Sequence, residues 1–211
     1  LEHWMRAVGL VVRTGRTHQI AARGSILRKY DPRFEEPVTW YAIHYWLASN
    51  REGAFCYWVA ANLMPRRFDR SALITALTQE LPGKSDSTYF NHTRSFFAIL
   101  RGTPIGQDLN MFGINDDVVS SEAFDAVRIP VQVVAYSLCD WAHKTKRTTF
   151  WIPEALEPGA PARQLLLSRE TLDRLLDVLR DRYCKKVLWA STTAGLDSVG
   201  FAEEYVGHPL A

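Results

Sequence analysis

The chain has 211 residues, of which 47% are hydrophobic and 12% aromatic, enough apolar material for a large core and too much for a disordered chain. No run of eighteen apolar residues occurs and no secretory signal pattern opens it, so a cytoplasmic protein with no membrane partner is expected. The formal net charge of +2 conceals an asymmetry: residues 1–33 carry +5, and the remaining 178 carry −3.

Residues 1–9 read as the end of a helix, with Trp4 and Val8 inward and Arg6 outward. Leu10–Val12 is a short strand candidate and Arg13-Thr14-Gly15-Arg16 its turn. His18–Leu27 reads as a second short helix or a strand-to-helix passage. Asp31-Pro32 stops it, because the residue before a proline is pushed out of the helical region. Apolar residues at helical spacing then predict helices over Val38–Ser49 and Gly53–Met64. A third follows over Ala72–Leu81, capped by Asp69 or Ser71, and a fourth over Thr88–Leu100, capped by Ser87, with Phe90, Phe96, Phe97 and Leu100 buried. Residues 101–120 read as loop and short strand around Asn115-Asp116-Asp117. Pro130 suits the first turn of a helix reaching about His143. A basic connector and a surface loop over 153–163 follow. Ser168 then caps Arg169–Arg182, whose Leu172, Leu175, Leu176 and Leu179 keep a strict helical period. Val187–Ala190 is a short strand.

The fold class expected is mainly α: a partial winged-helix unit over 1–33, then an α-helical body over 34–211 with a few short strands. A second, degenerate winged unit is expected near 165–200. The basic front is the strongest functional signal, since a helix, strand and basic turn suit a polyanion. Arg6 lies where a recognition helix ends, Arg13 and Arg16 flank a wing-like turn, and Arg23, Arg28 and Lys29 are placed for phosphate contact. Double-stranded DNA is therefore the expected partner, with weak sequence specificity, because Trp4 and Met5 beside Arg6 are not base-edge readers.

The remaining chemistry-bearing residues favour structural roles. Asp116-Asp117 is the one adjacent acidic pair in a loop and reads as a polar turn; Asp140 and His143 share a helix face and read as its polar side. His44, among aromatics, reads as a satisfied core histidine, and His92 beside Arg94 as a surface pair. Trp40, Tyr41, Tyr45, Trp46, Tyr57 and Trp58 have the spacing of core packing rather than of a base-stacking platform. Cys56, Cys139 and Cys184 read as reduced core thiols, and no paired ligands for zinc occur. No organic-cofactor motif is present.

The segment from Asp31 to Asn50 resembles the central signature of the SspB-type family, D-x-x-x-E-x-P-x-T-x-x-x-x-H-x-x-L-x-S-N. Here it is carried by Asp31, Glu35, Pro37, Thr39, His44, Leu47, Ser49 and Asn50. Ala54–Met64 with Arg67-Phe68-Asp69-Arg70 resembles the next block. Ala135-Tyr136-Ser137-Leu138 and Thr193-Ala194-Gly195-Leu196 match weaker ones. The resemblance implies a DNA-binding component of a bacterial phosphorothioate modification and anti-phage defence system, working with the system's other proteins. It further implies a DNA-nicking endonuclease that opens a strand for sulfur insertion, with Mg²⁺ or Mn²⁺. A non-enzymatic adaptor that presents DNA to the sulfur-transfer enzymes, or a winged-helix transcriptional regulator, is the alternative. The family pattern begins with further helices, so His3–Leu10 is expected to be the last helix of its DNA-binding unit. Where many members carry an acid, this chain has Asn91-His92-Thr93-Arg94, and the resemblance places no catalytic residue.

Overall fold

The structure, a computed structural model, describes residues 2–183, 188–191 and 197–202. It is mainly α, as the periodicity predicts, and divides into two compact units, residues 1–125 and 126–211.

The first unit opens with helix α1 (Glu2–Ala7), the hairpin β1 (Val11–Thr14) and β2 (Thr17–Ile20), and helix α2 (Ala22–Tyr30). Helices α3 (Pro37–Ser49) and α4 (Phe55–Asn62) follow, then strand β3 (Arg67–Asp69), helices α5 (Arg70–Glu80) and α6 (Asp86–Gly102), and strands β4 (Gly113–Asn115) and β5 (Val118–Ser120). Pro37 occupies the first turn of α3, where its missing N–H costs nothing. Asp69 caps α5 by accepting from the Ala72 N–H at 2.8 Å.

Helices α3 and α4 are apolar on most sides, and their packed pair forms the centre of the unit. Tyr41, Tyr45, Trp46 and Tyr57 are buried in it, as core spacing predicts. Phe112 sits at the hub of an aromatic cluster, with the rings of His44, Tyr57 and Phe96 at 5.8, 5.9 and 5.9 Å. His44 is fully buried and pairs through Nδ1 with the Tyr57 hydroxyl at 2.7 Å, so it is a satisfied core residue. An open apolar cavity of about 550 Å³ lies between α1, α3 and α6, lined by Trp4, Met5, Val8, Trp40 and Ile43 among others.

The second unit contains helix α7 (Val131–Thr145), strand β6 (Thr149–Trp151), a short 3₁₀ turn (Ile152–Leu156), helices α8 (Pro161–Gln164) and α9 (Arg169–Tyr183), and strands β7 (Leu188–Ser191) and β8 (Ser198–Phe201). The strands pair antiparallel in the order β6-β8-β7. Helix α9 packs on α7 and buries Leu172, Leu175, Leu176 and Leu179, while Ser168 accepts from the Thr171 N–H at 3.1 Å and caps it.

Some elements differ from the sequence reading. Helix α6 starts at Asp86 rather than Thr88. Its buried face is Tyr89, Thr93, Phe96, Phe97 and Leu100, which leaves Phe90 about half exposed. The 3.6-residue period selects 89 and 93 as partners of 96 and 100, and Phe90 falls one step off that stripe. The stretch 153–163 holds the 3₁₀ turn and the start of α8 rather than loop alone. Strands β3, β6 and β8 were not expected, because three or four residues carry no readable alternation. Cys56 and Cys139 are buried free thiols. Burial pushes both up from the ordinary thiol range, Cys139 to about 12 with the neighbouring Asp140 charge as a lesser cause. Cys184 and the Thr193–Leu196 block lie outside the described residues.

Candidate nucleic-acid interface

Helix α1 ends in a Schellman motif. The Gly9 N–H donates to the Arg6 carbonyl at 3.0 Å and the Leu10 N–H to the Met5 carbonyl at 2.8 Å, with Gly9 at φ +72°. The chain thereby reverses straight into β1. Strands β1 and β2 pair in register from Val11↔Ile20 to Thr14↔Thr17, leaving Gly15-Arg16 as a two-residue turn. Gly15 has φ +63° at the first turn position, where a II′ hairpin needs a positive φ. Residues 12–20 are all exposed, so the hairpin stands out from the unit. The hairpin is tied to α1 by His18, which pairs with Arg13 one rung below the turn and whose Nε2 lies 2.9 Å from the Glu2 carboxylate.

The structure sorts the six sequence-predicted cations. Arg13 and Arg16 lie together at the hairpin tip, with Arg13 Nε donating to the Gly15 carbonyl at 3.1 Å. Arg28 and Lys29 are exposed in the last turn of α2, with the Lys29 ammonium 4.7 Å from the Tyr30 ring centroid. Among the described residues no carboxylate lies within ion-pair distance of Arg13, Arg16, Arg28 or Lys29. Arg6 is exposed and shares the Glu2 carboxylate, 3.7 Å away. Arg23 points inward: its guanidinium donates to the Val8 carbonyl at 3.2 Å and lies 4.8 Å from the Trp46 ring centroid. It fastens the end of α1 to the aromatic core instead of facing solvent, a distinction that charge counting does not make.

The residues of the resembling signature act as ties within the scaffold. Asn50 donates from Nδ2 to the Ala7 carbonyl at 2.6 Å and accepts from the Gly53 N–H at 2.8 Å, joining α1 to the turn between α3 and α4. Asp31 accepts from the Glu35 and Glu36 N–H groups at 2.9 and 3.2 Å and orders the entry to α3. Its carboxyl is held below the ordinary aspartate range, first by the Thr39 hydroxyl and then by these backbone donors, with its burial opposing. A carboxyl depressed in the folded state adds stability above its unfolded value, and that contribution is lost as pH falls through the folded value. Asp31→Asn is therefore expected to flatten part of the acid loss of stability below about pH 4. Urea midpoints of both proteins at pH 3 to 6 measure this; parallel profiles would remove Asp31 from the account.

Asp116-Asp117 forms the turn between β4 and β5 and is engaged by arginines. Asp117 lies 3.0 Å from Arg70 and 4.0 Å from Arg101, and Arg101 also donates to the Asp116 carbonyl at 2.9 Å. Two cations on one carboxylate do not fit a divalent metal site. Among the described residues no group of three or more His, Cys, Asp or Glu is placed to hold a metal ion. Asp140 is buried and pairs with Lys144 Nζ at 2.6 Å. No helix among the described residues is long and apolar enough to cross a membrane.

Comparison with known proteins agrees with this architecture. The model of a family described as Protein of unknown function (DUF4007) matches residues 1–95, which include the hairpin and the Asp31–Asn50 segment. No curated protein matches the chain. An SspB crystal structure superposes with a TM-score of 0.78 and a magnesium ion-bound SspB crystal structure with 0.77. Each is 18% identical, over 95% of this chain and 69% of the other. The chain thus has an SspB-like fold.

Proposed function

We propose that this protein is a duplex-DNA-binding component of a bacterial DNA phosphorothioation system and its linked anti-phage defence. One observation carries the reading: the exposed hairpin and the end of α2 present Arg13, Arg16, Arg28 and Lys29 with no carboxylate among the described residues to neutralise them. Cations on a projecting ribbon meet phosphates without first breaking ion pairs, and each contact releases condensed counterions. The SspB-like fold and the Asp31–Asn50 signature supply the modification context. Helix α1 followed by the β1–β2 hairpin is the recognition-helix-and-wing part of a winged-helix unit.

The second unit supports the rest of the role. Helix α9 followed by β7 and β8, in a sheet of order β6-β8-β7, supports reading a second, degenerate winged unit near 165–200. Three of the four arginines on α9 are paired with acids: Arg169 with Asp173, Arg174 with Glu170 and Arg180 with Asp177. That face is nearly neutral and suits the system's other proteins better than phosphate.

Strand nicking is the second reading, favoured by the magnesium-bound state of one structural neighbour. Anisotropy titration of labelled duplexes in rising salt tests binding. Sequence-tolerant binding that falls steeply with salt is expected, and no binding at low salt would overturn the proposal. Supercoiled plasmid incubated with Mg²⁺ or Mn²⁺ tests nicking. Open circles blocked by EDTA would add hydrolysis to the role, and persistently closed plasmid would leave an adaptor.

A further inference from the structure

We infer that Arg16 is a minor-groove probe: the hairpin apex delivers a single guanidinium into the narrow minor groove of A·T-rich duplex DNA, while the neighbouring cations hold the backbone. This rests on the duplex-binding reading above and names what that site reads.

The apex is preorganised. Arg13 folds back onto the Gly15 carbonyl at 3.1 Å, and the Thr17 hydroxyl donates to the Thr14 carbonyl, also at 3.1 Å. The His18–Glu2 contact ties the second strand to α1 one rung below the turn. These bonds define the turn and leave Arg16 as an exposed apex side chain with no polar partner among the described residues. Its neighbours Thr14, Gly15 and Thr17 carry no charge.

Dimensions then select the groove. Four-residue strands reach roughly 13 Å, and two strands lie about 4.8 Å apart before side chains are added. The minor groove is about 6 Å wide. The ribbon therefore stays outside it, and only the apex side chain enters. A guanidinium is more weakly hydrated than an ammonium and loses less on entering a narrow groove of strongly negative potential. The N2 amino group of guanine obstructs that floor, whereas A·T pairs present only acceptors.

Three duplexes of equal length test the inference: one with an A·T centre, one with a G·C centre, and the latter with inosine in place of guanine. Inosine removes the minor-groove amino group and leaves the major-groove edge unchanged. The full chain is expected to bind the A·T and inosine duplexes about fivefold to tenfold more tightly than the G·C duplex. Arg16→Ala should bring that ratio to about one, and so should Arg16→Lys, which keeps the charge, holds affinity for the G·C duplex within about twofold and loses the extra affinity for the A·T and inosine duplexes. Equal binding to the guanine and inosine duplexes overturns the inference while the duplex-binding reading stands. So does a ratio that survives in Arg16→Lys, or sensitivity to 7-deazaguanine, which alters only the major groove. Failure to bind any of the three overturns the duplex-binding reading itself.

Discussion

Replacing Phe112 with Ala is expected to lower the unfolding free energy by about 3–5 kcal/mol, a large share of what a protein of this size possesses. Phe112 is 2% exposed, and three rings, those of His44, Tyr57 and Phe96, lie within 6 Å of its centroid. Truncation loses the transfer free energy of the ring. It also leaves a void that buried α3, α4 and α6 cannot all move to fill. A second cost follows from the polar pair beside it. The bond between His44 and the Tyr57 hydroxyl is sealed from water, and burial holds that hydroxyl far above its ordinary titration range. Opening the cluster exposes a pair whose strength depends on exclusion of solvent. Phe90→Ala removes an equally large ring from a half-exposed position on α6 and is expected to change stability by no more than about 0.5 kcal/mol. Urea unfolding followed by circular dichroism compares the two. Equal losses would show that Phe112 is not the hub.

The contrast between those phenylalanines separates what the sequence discloses from what it withholds. Long apolar periods are local, so α3, α5 and α9 can be read with their caps, including Asp69 and Ser168. The hairpin is legible in part: the first strand and the turn around Gly15 are local signals, whereas Thr17–Ile20 carries no alternation and falls partly in a stretch read as a helix or a strand-to-helix passage. Side-chain destination is not local. Arg23 carries the same charge as Arg16, yet its neighbours Val8 and Trp46 lie 15 and 23 residues away in sequence, and only the packed fold brings them to it. Asn50 reaches Ala7 across 43 residues, a tie that its place in the signature does not disclose, whereas Asp31 binds backbone only four and five residues ahead. Asp116-Asp117 reads as a polar turn from sequence, but the convergence of Arg70 and Arg101 on it emerges only in the fold.

The same distinction yields the largest expected effect on binding. Substituting Arg13, Arg16, Arg28 and Lys29 together with Ala is expected to weaken binding to every duplex by about a hundredfold or more near 0.1 M salt. The dependence of log K on log salt should become shallower by about 3 to 4. All four side chains are exposed, and no described carboxylate lies in ion-pair range of them. Their removal therefore strands no buried charge, and stability should change little. Arg23→Ala should behave in the opposite way. Its guanidinium closes the end of α1 through the Val8 carbonyl and stacks on Trp46, interactions worth on the order of 1–2 kcal/mol together, so stability should fall while the salt slope stays near that of the parent protein. A single plot of affinity against salt for the three proteins decides the matter. If the quadruple variant keeps the parent slope, phosphates are met elsewhere on the chain. If Arg23→Ala flattens it by about one, the inward arginine turns out to reach the duplex after all.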